Sequence, residues 1–431
     1  MKLMKWVRCA LSCLMMCGSV SAMVFDNRFL PLIPQPFFAN KDAIWDYGVR
    51  GIFFGSKKTL NPDIASLQGD EIPLYNLFGT YDEVVLENAL RQAQLITGSL
   101  FPPDLLGVNS IVWRQKGKIS FQGVVFETFL HLTSYLGIGG SLIGGKMDAH
   151  LELSRVRDSA QFTPGDEQAL INVNTQIHEI LNLQPPCYDH GAFGDIDLYL
   201  RFHGVREYWN KFRRIDLGFN FGFLIPTGQK NKINNPAFIP LGNPHFGLYG
   251  AFDGTFVLKD EFIVGLLLRC NKRFAATECV RMPVLIPLGQ LPAQELPHEP
   301  LNYGALVGPA RITPGWTLIF SPRFQWMGLR QGLGFNLAYI LTNHWQDKIR
   351  DLRTPAQIAE SAPANICAME EISSWGSDYF SIAALYDFGY DKDCARFAPI
   401  VSLIFDIPFK GLVAKRVAKT HGISLRIESR I

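Results

Sequence analysis

The chain has 431 residues, and its 41 Lys and Arg against 39 Asp and Glu leave a formal net charge of only +2. This balance excludes the strongly basic surface that nucleic-acid binding needs. Aromatic residues reach 12% and charged residues only 19%, whereas about 25% of the residues in soluble proteins are charged. A membrane barrel has such a composition, because its outer wall is apolar and aromatic.

Residues 1–22 have the pattern of a secretory signal peptide. Lys2, Lys5 and Arg8 precede a short apolar run, and small residues lead up to Ala22. The run is shorter than the about 20 residues that a membrane-spanning helix needs. The sequence therefore predicts export, with cleavage after Ala22.

The segment 25–39 follows, and it is too rich in Pro and aromatic residues for the interior of a strand. We expect residues 23–43 to be an N-terminal extension, either in the periplasm or placed as a plug in a barrel lumen. A first strand is predicted at 44–55. The long connection 57–114 holds one helical stretch, 82–93, whose apolar side must be buried somewhere, so this connection is a second plug candidate.

A hairpin with long arms is predicted at 119–132 and 135–154. In its second arm the apolar positions change from even to odd numbers, and Gly144 and Gly145 lie at the change. A β-bulge would produce such a change of phase, so we predict one there. A second helix is predicted at 168–183.

The hairpin at 194–228 alternates between apolar and polar residues with little error. Its apolar positions are Ile196, Leu198, Leu200, Phe202, Ile215, Leu217, Phe219, Phe221, Phe223 and Ile225. Each strand exceeds about ten residues, which is the length of a tilted strand that crosses a bilayer. The apolar side is predicted to face lipid and the polar side to face a lumen.

The remaining strands are predicted at 246–258, 261–271, 316–327, 333–345, 379–390, 399–408 and 422–431. The connections alternate between long and short, as in outer-membrane barrels, whereas a soluble β-sandwich has no reason for this alternation. The sequence thus predicts an all-β fold over residues 44–431. We expect a transmembrane antiparallel up-and-down β-barrel of about 12 strands with short helices in its outer loops.

Part of the 194–228 hairpin resembles a known family. Gly194-Asp195-Ile196-x-Leu198-x-x-Arg201-Phe202, followed by Leu217-Gly218-Phe219 and Pro226-Thr227-Gly228, is similar to a hairpin of FadL-like outer-membrane barrels. The similarity is notable for the phenol meta-pathway transporter-like proteins. It implies passive uptake of small, often hydrophobic solutes through a barrel with a plugged lumen.

The polar phase of the strands supplies the candidate lumen-lining residues. They are Asp195, Asp197, Arg201, His203, Arg214, Asp216, Asn220, Asp253, Arg269, Arg323, Asp387, Asp406, Arg426 and Glu428. They would form either a polar path for a solute or a network of cross-strand ion pairs that fills the barrel. A wall of this size lies between barrels filled by side chains and barrels that hold water, and pairing is favoured for most of them.

No pattern of a catalytic or cofactor site is present, and the sequence predicts no enzyme, no cofactor and no metal. His150 and Glu152 share a strand face and His203 could lie near them, but three or four converging ligands are needed for a metal. Cys187 and Cys367 either pair or remain thiols, and the odd count of cysteines after cleavage favours thiols.

The predicted function is an outer-membrane pore or transporter that passes small solutes passively. The alternative is a structural or surface-contact protein whose lumen is occluded. The expected location is the cell outer membrane, with its lipid as the partner. The sequence identifies no solute and no oligomeric state, and it predicts no contact with nucleic acid.

Overall fold

Twelve strands close into one antiparallel barrel in the computed structural model. The structure describes residues 44–60, 81–102, 111–155, 164–208, 213–229, 231–258, 261–285, 304–389 and 399–430. The barrel strands are β1 (Trp45–Ser56), β2 (Val112–His131), β3 (Leu136–Arg155), β4 (Ile196–Glu207), β5 (Arg214–Ile225), β6 (Gly247–Val257), β7 (Phe262–Arg273), β8 (Trp316–Arg330), β9 (Leu333–His344), β10 (Trp375–Asp387), β11 (Ile400–Phe409) and β12 (His421–Arg430). Each strand pairs with its neighbours in the sequence, and β1 pairs with both β2 and β12 to close the ring. The predicted up-and-down barrel of twelve strands is confirmed.

The connections have the predicted alternation of lengths. The start of β1, the end of β12 and the short turns share one end of the barrel, because Asp46 pairs with Arg430 across the seam. The long connections leave from the opposite end. By the usual arrangement of such barrels the short-turn end is periplasmic and the long-connection end is extracellular.

Strand β12 shows the arrangement of a membrane barrel, in which the exposed face is apolar and the buried face is polar, the reverse of a strand in a soluble protein. On β12, Ile423, Leu425 and Ile427 are each about half exposed, whereas Ser424 and Arg426 between them are buried. Apolar side chains thus cover the outside of the wall at this strand, and polar side chains face the lumen. A wall of this kind is stable in lipid rather than in water.

Aromatic residues mark the two edges of this apolar wall. Trp316 and Trp326 face outward on β8, ten positions apart, with only apolar residues facing outward between them. At about 3.3 Å per residue and a tilt of about 40°, ten residues rise by about 25 Å. This height equals that of the apolar band of an outer-membrane barrel.

The predicted bulge at Gly144 and Gly145 is wrong. β2 and β3 keep a single register from Trp113 opposite Arg155 to His131 opposite Gly137. Odd-numbered residues of β3 face inward along the described strand, so Ile138 points out of the barrel and Met147 points in. The backbone does not change phase.

The surroundings of the β2–β3 hairpin change instead. Above the membrane its outer face carries the exposed Lys146 and His150, and its inner face carries the buried Met147 and Leu151. The change of apolar phase in the sequence therefore marks the level at which the strand leaves the membrane.

A cap covers the extracellular end. Its helices are α1 (Glu83–Gln92), α2 (Pro164–Ile180), α3 (Pro355–Ser361) and α4 (Ile366–Ser373), and a three-stranded sheet joins Ala276–Met282, Leu306–Thr313 and Lys348–Asp351. Short strands Tyr81–Asp82 and Cys187–Phe193 extend the barrel wall beside β2 and β3, and Thr59–Leu60 pairs with Val417–Ala418. Both predicted helices, 82–93 and 168–183, are confirmed as α1 and α2.

The apolar side of α1 is buried in the core of this cap. Leu86 and Leu90 of α1 join Ile177 of α2 and Met282 and Leu306 of the sheet in one apolar cluster. Within the described residues, the connection after β1 therefore covers the barrel mouth rather than filling the lumen. The signal peptide and the segment 25–39 lie outside the described residues. None of the described helices is long and apolar enough to cross a membrane.

Candidate functional site

A column of four Arg–Asp pairs lines the interior of the wall formed by β4 to β7. From the periplasmic to the extracellular end, the pairs are Arg214–Asp216 (3.5 Å), Arg201–Asp253 (2.6 Å), Arg269–Asp197 (3.0 Å) and Arg273–Asp195 (2.9 Å). All four carboxylates are buried. Because these charges are shielded from water, each charged group depends on the other member of its pair to compensate its charge.

Arg201 and Asp253 form the best-defined pair of the column. Nη1 and Nη2 of Arg201 donate to the two carboxylate oxygens of Asp253, each at 2.6 Å, and Nη1 also lies 3.3 Å from Asn220 Oδ1. A Cβ at Gly218 would lie 2.5 Å from Arg201 Nη2. The glycine thus provides the space in which this bidentate pair forms.

The opposite wall carries a second set of charges. Arg50 lies 3.2 Å from Asp406, and Arg426 lies 2.8 Å from Glu127 and 3.4 Å from Glu428. Most of the predicted lining residues are therefore held by ion pairs, either within one strand or between strands that are separated by at least one other strand. Arg50, Glu127 and Arg273 were not among the predicted residues. Arg50 and Glu127 lie in the polar phase of their strands, which was the available signal, and Arg273 lies beyond the predicted end of β7.

The other predicted lining residues make more local contacts. Arg323 donates to Thr255 Oγ1 at 2.6 Å inside the barrel. His203 packs edge-to-face on His131, with ring centroids 5.6 Å apart, near the periplasmic end. Asp387 ends β10 and accepts a hydrogen bond from the amide of Gly389, so it stabilises a turn there.

In the extracellular half of the interior, the walls formed by β1–β3 and β8–β10 carry a cluster of apolar side chains, and the connection between β5 and β6 enters this region. Eight consecutive residues of this connection, Asn235 to Gly242, are all buried; we call them the inserted segment. Ala237, Phe238, Ile239 and Leu241 belong to one apolar cluster with inward-facing wall residues. These wall residues include Ile52, Phe54, Phe121, Ile143, Met147, Ile319, Ile340 and Tyr379.

Because the cluster joins β1–β3 to β8–β10, the inserted segment lies between opposite walls of the barrel. It occupies the apolar part of the lumen. The two regions in which we expected a plug are not the source of this segment.

Asp195 holds both ends of this connection. Its carboxylate accepts hydrogen bonds from the amide of Gly228 (3.3 Å) and from the amide of Asn243 (3.1 and 3.0 Å), and it pairs with Arg273. Gly228 and Gly242 approach so closely that a Cβ on either would lie about 2.5 Å or less from the other's Cα. One buried carboxylate thus closes the base of the loop.

Further contacts fix the loop at the mouth. Arg281 donates to the carbonyl of Ile233 (2.8 Å) and to Asn234 Oδ1 (2.8 Å). The ring of Tyr188 packs edge-to-face on Phe238 at 5.0 Å, and its hydroxyl donates to Gln229 Oε1 at 2.5 Å. Burial of Tyr188 above the membrane raises its pKa, although the bond to Gln229 partly opposes this shift. Tyr188 therefore remains a donor at neutral pH.

The considered metal ligands do not come together. His150 and Glu152 lie 3.5 Å apart on the exposed outer face of β3, whereas His203 is inside the barrel near its other end. In the part of the chain that is described, no group of three or more His, Cys, Asp or Glu side chains is arranged to hold a metal ion. Cys187, Cys270, Cys279 and Cys367 are free thiols.

No protein-family model matches the sequence, and no curated protein matches it. Among solved structures, the chain is similar to an outer membrane channel from Pseudomonas putida F1, with 10% identity over 93% of this chain and 100% of that one, at a TM-score of 0.48. It is also similar to the Pseudomonas putida toluene transporter TodX (8% identity, 95% and 94%, TM-score 0.30) and to a Pseudomonas aeruginosa FadL homologue (9%, 90% and 90%, 0.28). The fold assignment rests on the strand pairing of this chain itself.

Proposed function

We propose that this protein is an outer-membrane channel that passes small, predominantly apolar solutes by passive diffusion. The observation that carries this proposal is the combination of a lipid-facing closed barrel with an apolar cluster in the extracellular half of the lumen. A structural barrel has no need of an apolar interior that is filled by a loop. The predicted export signal supports the location.

The inserted segment is the gate of this channel. Phe238, Ile239 and Leu241 fill the apolar space, and they have the chemistry of the solutes that would replace them. An apolar solute that enters from the cap side would gain the contacts that the segment loses. The ion-pair column along β4 to β7 offers a polar wall beside this path.

The alternative is a barrel that serves structure or surface contact with an occluded lumen. The observation in its favour is the burial of the paired charges at several levels of the interior. It predicts no uptake of any solute and no conductance that depends on the inserted segment.

Planar-bilayer conductance and uptake of toluene into proteoliposomes distinguish the two functions. We expect a variant in which residues 235–242 are replaced by Gly-Ser to show larger conductance and faster uptake than the wild type. Deletion of α3 (Pro355–Ser361), which lies in the cap, is the matched control and should change neither. If the segment variant and the wild type are equally silent, the channel proposal is refuted.

A point substitution tests the anchor of the gate. Asp195→Ala leaves Arg273 buried without this carboxylate, and loss of one partner of a buried pair costs about 3–5 kcal/mol. Part of this cost is relieved if the loop leaves its place, so we expect frequent openings in single-channel traces. Asp387→Ala, at the periplasmic end of β10, is the control. If Asp195→Ala folds with the same yield as the wild type and its single-channel traces show no openings, Asp195 does not anchor the inserted segment.

A further inference from the structure

Three exposed cations lie together on the outer face of the cap sheet. Arg311 lies on the strand Leu306–Thr313, and Lys348 and Arg350 lie on the strand Lys348–Asp351. Arg311 is directly opposite Arg350 in the register, and Thr313 is opposite Lys348. We call Arg311, Lys348 and Arg350 the basic patch.

No described carboxylate compensates the positive charges of the basic patch. Like charges directly opposite each other destabilise a sheet, yet none of the three side chains makes an ion pair or hydrogen bond with the described residues. The nearby carboxylates point to the other face of the sheet. Glu278 is 2.7 Å from His245, and Asp351 is 2.8 Å from Arg353. Most of the interior arginines of the barrel, in contrast, are ion-paired.

The height of the patch relative to the membrane is fixed by the strands that carry it. The sheet strands continue β7, β8 and β9 beyond Phe274, Trp316 and Trp345, which are exposed at the extracellular edge of the apolar wall. Lys348 is three residues beyond Trp345, and Arg311 is five residues before Trp316. At about 3.3 Å per residue these cations lie within about 10–16 Å of the aromatic edge. The headgroup layer begins directly outside the hydrocarbon and is several ångströms deep, at about 5–8 Å for ordinary lipids.

We propose that the basic patch binds the phosphate groups of an anionic glycolipid in the outer leaflet. Guanidinium groups bind phosphate in a bidentate manner, and the lysine adds a point charge. A lipid phosphate between Arg311 and Arg350 would compensate both charges, while the acyl chains lie against the aromatic wall below. A glycolipid with a sugar–phosphate headgroup suits this height better than a lipid with a thin headgroup. This inference rests on the proposed outer-membrane location.

The test measures binding of diphosphorylated lipid A to the purified full-length protein in detergent by native mass spectrometry, with chemically dephosphorylated lipid A as the comparison. We expect Arg311→Gln with Arg350→Gln to weaken binding of the phosphorylated lipid about 30-fold, since each charge near a membrane surface contributes about 1 kcal/mol. Arg330→Gln, an exposed cation at the periplasmic end of the same β8, is the matched control and should bind like the wild type.

Equal binding of the dephosphorylated lipid, or unchanged binding by the double variant, would overturn the proposal. So would an affinity for inorganic phosphate alone as high as that for the lipid. Toluene uptake in phosphatidylcholine vesicles does not involve the patch. Uptake without lipid A binding therefore rejects only the glycolipid site, and lipid A binding without uptake rejects only the channel.

Discussion

A series of arginine substitutions down the outer face of β8 tests the position of the barrel in the membrane. Trp316 and Trp326 bound the apolar stretch of this strand, so its midpoint is near position 321. With a rise of about 2.5 Å of height per tilted residue, Phe320 lies about 2.5 Å from the midplane, Phe324 about 7.5 Å and Trp326 about 12.5 Å.

The expected costs follow these depths. An arginine on the lipid face costs about 2–4 kcal/mol at the midplane and about 0–1 kcal/mol at the interface. Phe320→Arg should therefore lower the free energy of unfolding most, Phe324→Arg by an intermediate amount and Trp326→Arg least. Urea unfolding in lipid vesicles, with the folded fraction read from the gel mobility of unheated samples, gives the three values without depending on tryptophan fluorescence.

Three outcomes of this series are informative. A graded decrease from Phe320 to Trp326 supports the membrane position. Equal costs at all three positions, or the largest cost at Trp326, would refute it. Refolding of all three variants without lipid or detergent would refute the membrane assignment itself.

The remaining predictions concern the lumen and the cap. Arg201→Ala or Asp253→Ala alone should lower the free energy of unfolding by about 3–5 kcal/mol. The double variant should lower it by less than the sum of the two. A double-mutant cycle in vesicles that finds additive costs would contradict the pairing. Phe221→Arg should lower the folding yield because Phe221 faces lipid, and Asn220→Arg should also lower it, since it places a second guanidinium beside Arg201. Folding yields of the two variants close to that of the wild type would contradict this. Burial lowers the pKa of His178 in α2, so the folded cap favours the neutral ring. Stability from this group is complete above the ordinary histidine pKa and is lost as the pH falls through that range. His178→Gln should remove this part of the pH dependence in proteolysis of the cap between pH 8 and pH 5, and an unchanged profile would count against it.

The barrel was predictable because each strand is a local, two-sided pattern. Ile423 and Leu425 face out and Arg426 faces in. The alternation of apolar and polar residues along the strand predicts these directions without knowledge of the strands that pair with it. The loop lengths then fixed the up-and-down order, since strands joined by short turns pair with each other. The prediction needed no long-range information.

The inserted segment and the cap were not predictable in this way. The segment is short, irregular and apolar, and nothing in its own sequence states which surface buries Phe238. The strand Leu306–Thr313 precedes β8 and is separated from it by Pro314 and Gly315. Because of this interruption, the sequence predicted a loop there. The prediction began β2 at residue 119, whereas the strand begins at Val112. Its extracellular part was not predicted because apolar residues there, such as Trp113, face inward above the membrane.

The residues that carry the family resemblance meet at the base of the inserted loop. Thr227 Oγ1 donates to the carbonyl of Gly194 (3.1 Å), and the amide of Gly228 donates to Asp195 (3.3 Å). The register between β3 and the chain at Gly194 shifts by one residue, since Gly144 pairs with Phe193 but Ser141 pairs with Asp197. This irregularity accompanies the burial of the Asp195 carboxylate, which reaches Asn243 at the other end of the loop. Asp195, Thr227 and Gly228 of the two motifs are therefore explained by loop closure, because the Asp195 carboxylate binds both ends of the loop and the glycines at 228 and 242 leave the space in which these ends meet.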